Sequence, residues 1–87
     1  MTVTAESIRK KLRSYVLENF LFTDDDGALS DDDSFLELGI VDSTGIMEVI
    51  LYVEEEFGMT VADDEMTPDN LDSVDSLVAF VQKKTVT

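Results

Sequence analysis

Three stretches of this chain repeat apolar side chains at helical spacing, and each is bounded by residues that start or stop a helix. Ile8, Leu12, Tyr15 and Val16 fall at i, i+4, i+7 and i+8, which predicts a helix from about Thr4 to Asn19. Thr4 is its expected N-cap, Glu6 suits the positive dipole end, and Arg9, Lys10 and Arg13 fall on the far side. Ile46, Val49, Ile50, Val53 and Phe57 form a second stripe between Asp42 as N-cap and Gly58 as terminator. Val74, Leu77, Val78 and Val81 form a third, from about Ser73 to Lys84, with Lys83 and Lys84 where the dipole favours cations.

The connections complete the outline. From Phe20 to Val41 the periodicity fails, and Asp24-Asp25-Asp26-Gly27 and Asp31-Asp32-Asp33 read as turn and solvent material. Leu29, Phe35, Leu36, Leu38 and Ile40 in the same stretch are expected to find dry places, so the loop is pinned across one end of the core. Residues 63–66 predict one short helical turn closed by Thr67-Pro68, with a turn at Pro68-Asp69-Asn70. The expected fold is all-α: a four-helix bundle with three longer helices, one short third helix and a long first loop. With 87 residues and no linker or repeat, residues 1–87 read as a single domain.

Charge excludes several functions. Nineteen of the twenty acids, all but Glu6, lie between Ser14 and Gln82, where there is no base, and the net charge is −14. Such a surface repels nucleic-acid phosphate and anionic lipid and steers toward basic protein patches. The absence of cysteine removes disulfides and thiolate metal sites, and no apolar run approaches a membrane span, so the expectation is a cytoplasmic monomer. The acid clusters do not spell a calcium loop: with Gly27 at the sixth position, Phe22 occupies the first, where a ligand is required. No metal site is expected. A nucleophilic serine needs a base, and a chain without His supplies none, so an enzyme acting alone is not expected either.

Ser43 remains as the residue with chemistry to offer. It follows Ile40-Val41-Asp42, and at the first turn of the second helix its hydroxyl faces solvent. A phosphate ester there would meet unpaired backbone N–H groups and the positive dipole end. Thr44, Met47, Glu48, Leu51 and Glu55 point away from the core stripe, a mixed face of exposed apolar side chains framed by carboxylates.

The segment from Asp33 to Thr44, with Leu38-Gly39 followed by Asp42-Ser43, resembles the signature of acyl and peptidyl (aminoacyl) carrier proteins. The similarity continues through Tyr52-Val53-Glu54-Glu55-Glu56-Phe57-Gly58 and Pro68-Asp69-Asn70-Leu71-Asp72-Ser73-Val74 into the last helix, nearly the whole chain. It implies that a phosphopantetheinyl transferase joins 4′-phosphopantetheine from coenzyme A to Ser43, and that the arm carries acyl or aminoacyl intermediates as thioesters. It also implies a docking face of Asp42, Thr44, Met47, Glu48, Leu51, Glu54 and Glu55 for a loading ligase and downstream biosynthetic enzymes. Thr44 stands where the family usually has leucine, and Gly45 follows it. A literal Asp-Ser-Leu occurs at Asp75-Ser76-Leu77, but without a preceding Leu-Gly loop it reads as ordinary helix. The alternative is an acidic helical adaptor that binds a basic partner without a cofactor.

Self-repulsion among nineteen acids costs stability that counterions restore. Added salt or divalent cations are therefore expected to raise the melting temperature; a Tm indifferent to salt counts against this.

Overall fold

The computed structural model describes residues 4–85, which contain four α-helices and no strand. Helix α1 spans Ala5–Val16, and the Thr4 hydroxyl accepts from the Ser7 N–H at 3.1 Å as its N-cap. Ile8, Leu12 and Val16 are buried, while Tyr15 is half-buried. A π-helical turn, Leu17–Leu21, prolongs α1 past the expected Asn19 and stops at Phe22, which adopts left-handed backbone (φ 54°, ψ 44°). Helix α2 spans Ser43–Phe57 and ends at Gly58, whose φ of 63° and N–H bond to the Glu54 carbonyl close the last turn. It buries Gly45, Val49, Ile50 and Val53.

Two 3-10 turns, Asp26–Ala28 and Asp63–Glu65, lie in the connections. The expected turn at Pro68 is instead a short helix, α3 (Pro68–Leu71), with Pro68 in its first turn. Proline lacks only an N–H that the first turn leaves unused, and its fixed φ suits the helix. Helix α4, Val74–Thr85, buries Val74, Leu77, Val78, Phe80 and Val81, packs mainly against α1 and α3, and touches α2. The Ser73 hydroxyl accepts the Ser76 N–H at 3.0 Å, so Ser73 caps α4, close to the expected start of that helix. Aromatic rings tie α1 to α2: Tyr15 stacks on Tyr52 at 4.0 Å, with Phe20 and Phe57 edge-on at either end.

Arg9 and Arg13 do not face away from the structure, as the helical wheel of α1 implied. Arg13, with its side chain 14% exposed, donates to the Leu29 carbonyl at 2.7 Å, Asp31 Oδ1 at 2.6 Å and Asp26 Oδ1 at 3.0 Å. Arg9 reaches Asp31 at 3.0 Å and Asp75 at 3.2 Å. The aspartate runs are thus more than solvent material: Asp26 and Asp31 are ion-paired, Asp25 caps a 3-10 turn, and Asp33 accepts the Ser30 N–H. A second anchor secures the rest of the loop. The Ser34 hydroxyl donates to the Asp72 carboxylate, which also accepts the Leu36 N–H at 3.0 Å, and the Phe35 N–H reaches the Asp72 carbonyl at 2.8 Å.

Between these anchors Leu29, Phe35 and Val41 are buried, and Ile40 is half-buried. Leu36 and Leu38 are not: they are 49% and 60% exposed, against the expectation that both find dry places. A tight turn, with the Ile40 N–H on the Phe35 carbonyl at 2.9 Å, lets only one side of this segment meet the core.

Replacing Arg13 by alanine leaves the Leu29 carbonyl without its donor and Asp31 with Arg9 alone, while the exposed Asp26 is released to water. Arg13→Ala is expected to lower the unfolding free energy by about 1–3 kcal/mol, read from the urea midpoint. Arg13→Lys recovers less than half, because an ammonium cannot reproduce the fork.

Candidate functional site

Asp42 adopts extended backbone before α2, and its Oδ1 accepts the Gly45 N–H at 2.6 Å. Its carbonyl accepts the Ile46 N–H at 2.9 Å. The cap is therefore complete without Ser43, the first residue of α2, whose side chain is exposed. Among the described residues no group hydrogen-bonds its hydroxyl, and the N–H groups of Ser43 and Thr44 have no partner. Free N–H groups at a helix start and an accessible alcohol occupy one place, which favours an anionic ester. Ser76 differs. It is half-buried, and its hydroxyl accepts from Ser73 Oγ at 3.0 Å within the α4 cap.

Gly45 has a packing reason. A Cβ there would lie 2.9 Å from the Phe20 ring, 3.1 Å from Val41 Cγ1 and 3.2 Å from Asp42 Oδ1. The end of the π turn rests directly on the first turn of α2, and any side chain in place of Gly45 requires Phe20 and Val41 to give way.

Of the remaining residues singled out in the sequence, Thr44, Met47, Glu48, Leu51 and Glu55 are exposed along one strip of α2. Glu54 is set apart: it is half-buried, and its carboxylate accepts the Val61 N–H at 2.9 Å, tying the following loop to α2. The tyrosines that join α1 to α2 have phenols pushed above their ordinary range, by burial first and then by Glu48 near Tyr15 and Glu56 near Tyr52. The Glu65 carboxyl is held below its usual range by its hydrogen bond from Lys84, then by the Ala62 N–H.

Two depressions flank Ser43. An apolar cleft of about 220 Å³ is lined by Leu36, Ile46, Met47, Ile50, Met66 and Leu71, with Ser43 at its edge. On the other flank lies an open, shallow depression lined by Phe22, Ile40, Asp42, Thr44 and Glu48 among others. Leu36, Met66, Leu71 and Phe22 were not legible as site residues, because no spacing in the sequence shows that α3 and the π turn both reach the start of α2. Among the described residues no group of three or more acids is placed to hold a metal ion, and no helix is long and apolar enough to cross a membrane.

The family described as "Phosphopantetheine attachment site" matches residues 10–81, an interval that contains both Ser43 and Ser76. The chain is 32% identical over 76 residues, 87% of its length and 86% of the relative's, to "Probable acyl carrier protein PigG" of Serratia sp. (strain ATCC 39006). It is 35% identical over 46 residues, 53% of its length and 58% of the relative's, to the "D-alanyl carrier protein" of Abiotrophia defectiva.

The close seat at Gly45 carries a stability prediction. Alanine is the better helix former by about 1 kcal/mol, but the added methyl overpacks a site bounded by buried Val41 and the Phe20 ring. Gly45→Ala is expected to be destabilising by about 1–2 kcal/mol, seen as a lower Tm. A raised Tm would show that helix propensity wins and the contact is slack.

Proposed function

Because this chain belongs to the family of acyl and peptidyl carrier proteins, whose members bear covalent 4′-phosphopantetheine, we propose that Ser43 takes the arm. On this reading the protein is one carrier domain over residues 1–87, acting in the cytoplasm. It presents acyl or aminoacyl groups to biosynthetic enzymes and performs no catalysis itself. The observation that carries the assignment is the free, exposed Ser43 hydroxyl beside a cap that Asp42 already satisfies.

Each residue has a definite task. Asp42 fixes the start of α2, so that Ser43 projects into water. The Ser43 oxygen attacks the pantetheine-side phosphorus of coenzyme A. The new O–P ester forms as the pyrophosphate P–O bond breaks, adenosine 3′,5′-bisphosphate leaves, and the hydroxyl proton goes to a base on the phosphopantetheinyl transferase, since this chain has no His. The unpaired N–H groups of Ser43 and Thr44 and the helix dipole then face the phosphodiester. The bound arm supplies the thiol that a chain without cysteine lacks, on which cargo travels as a thioester. Thr44, Met47, Glu48, Leu51 and Glu55 form the docking strip for the transferase, the loading ligase and downstream enzymes, with Asp42 at its upper end. Charge on the strip governs encounter rate and partner choice more than affinity. Glu54, committed to the Val61 N–H, contributes only its field.

Intact mass tests this directly. Incubated with coenzyme A and a promiscuous phosphopantetheinyl transferase, the wild-type chain and Ser76→Ala are each expected to gain one phosphopantetheine, and Ser43→Ala none. Loading of Ser43→Ala, or a block by Ser76→Ala, overturns the assignment. An unchanged wild-type mass favours the cofactor-free acidic adaptor instead.

A further inference from the structure

Phe22 is unfavourable to the fold twice over. It is the only non-glycine residue with positive φ among those described, and its ring is 83% exposed. Glycine or asparagine would hold that left-handed position with less strain, and a polar side chain would be better solvated. The ring therefore adds little to stability, and a strained residue beside a candidate site is where a role in recognition is worth seeking.

Its position supplies that role. The Phe20 ring seats on Gly45, so Phe22, two residues on, shares the depression formed with Ile40, Asp42, Thr44 and Glu48 immediately beside Ser43. The rim is acidic: Asp42 and Glu48 are exposed, and Asp24 and Asp25 follow Phe22 in the chain. A second copy of this chain does not fit the patch, because it brings another net charge of −14. An enzyme that binds coenzyme A must present cations to that molecule's phosphates, and those cations complement this rim.

We propose that Phe22 is an anchor for the phosphopantetheinyl transferase, its ring entering an apolar pocket beside that enzyme's coenzyme A site while Asp42 and Glu48 meet the surrounding lysines and arginines. The proposal rests on Ser43 being the attachment serine and adds a specificity residue outside α2. Exposed aromatic side chains that enter a partner's pocket commonly dominate binding, and the acids around such a ring act mainly on the encounter rate.

The test compares Phe22→Asn and Phe22→Tyr with wild type, measuring Tm and the steady-state rate of loading by one transferase with coenzyme A. Phe22→Asn is expected to lose about tenfold or more in kcat/KM, mainly through KM. Its Tm is expected to stay level or rise, because asparagine tolerates the left-handed backbone. Phe22→Tyr, which keeps the ring, is expected to load within about twofold of wild type. Phe22→Asn loading at the wild-type rate overturns the docking role and leaves the attachment reading standing. A loss of rate that accompanies a fall in Tm in both variants makes Phe22 structural and also overturns it. A wild-type chain that takes no arm removes the attachment reading, and the anchor with it.

Discussion

Arg13 gathers the carboxylates of Asp26 and Asp31 and the carbonyl of Leu29 around one largely buried guanidinium, and the route of the chain from α1 to α2 follows from that gathering. The connection carries Asp24, Asp25, Asp26, Asp31, Asp32, Asp33 and Glu37 with no base of its own, so its charge alone would drive it outward. Ordering it also costs backbone entropy of about 1–2 kcal/mol per residue. Arginine offsets this where lysine would not, because its planar fork donates to several acceptors at once. Arg9 extends the same cluster through Asp31 to Asp75 on α4, and Asp72 holds the second half of the loop. Val41 can then be buried, Asp42 can cap α2, and Ser43 is left in water.

The few cations of this protein are largely used up inside it. Besides Arg9 and Arg13, Lys11 pairs with Glu56 at 2.9 Å and Lys84 with Glu65 at 2.8 Å. None of these pairs takes Glu48 or Glu55, so the outer strip of α2 presents uncompensated negative charge beside the serine. An uncompensated field of this kind acts over roughly a Debye length, about 8–10 Å at ordinary ionic strength. On the proposed reading it speeds encounter with a basic enzyme groove without requiring a long-lived complex.

Apolar exposure is organised in the same direction. Phe22, Leu36, Leu38, Met47 and Leu51 are the large hydrophobic side chains left in water among the described residues. Burying the exposed part of any one of them would be worth about 1–2 kcal/mol. Leu36 and Met47 line the cleft at one edge of Ser43, Phe22 lines the depression at the other, and Leu51 lies one turn along the strip from Met47. On the proposed reading, these exposed side chains are kept open for partner enzymes at a cost in the protein's own stability.

Helices, caps and the exposed serine were legible in the residues themselves, because periodicity, capping chemistry and a glycine stop are local properties of the chain. The stripes of α1, α2 and α4, Asp42 as cap, Gly58 as terminator and the outward strip from Thr44 to Glu55 all followed from spacing of three to four residues. Spacing could not show that Arg13 turns inward, since its partners lie 13 to 18 residues away. Nor could it show that Glu54 is occupied by Val61, that Leu36 and Leu38 stay wet, or that Gly45 makes room for Phe20. Sequence by itself determined which residue types the site contains and where its helix begins. Tertiary structure alone decided which surfaces meet around Ser43, because a contact between distant segments depends on how the anchored loop and α3 fold back onto α2, and no local pattern encodes that.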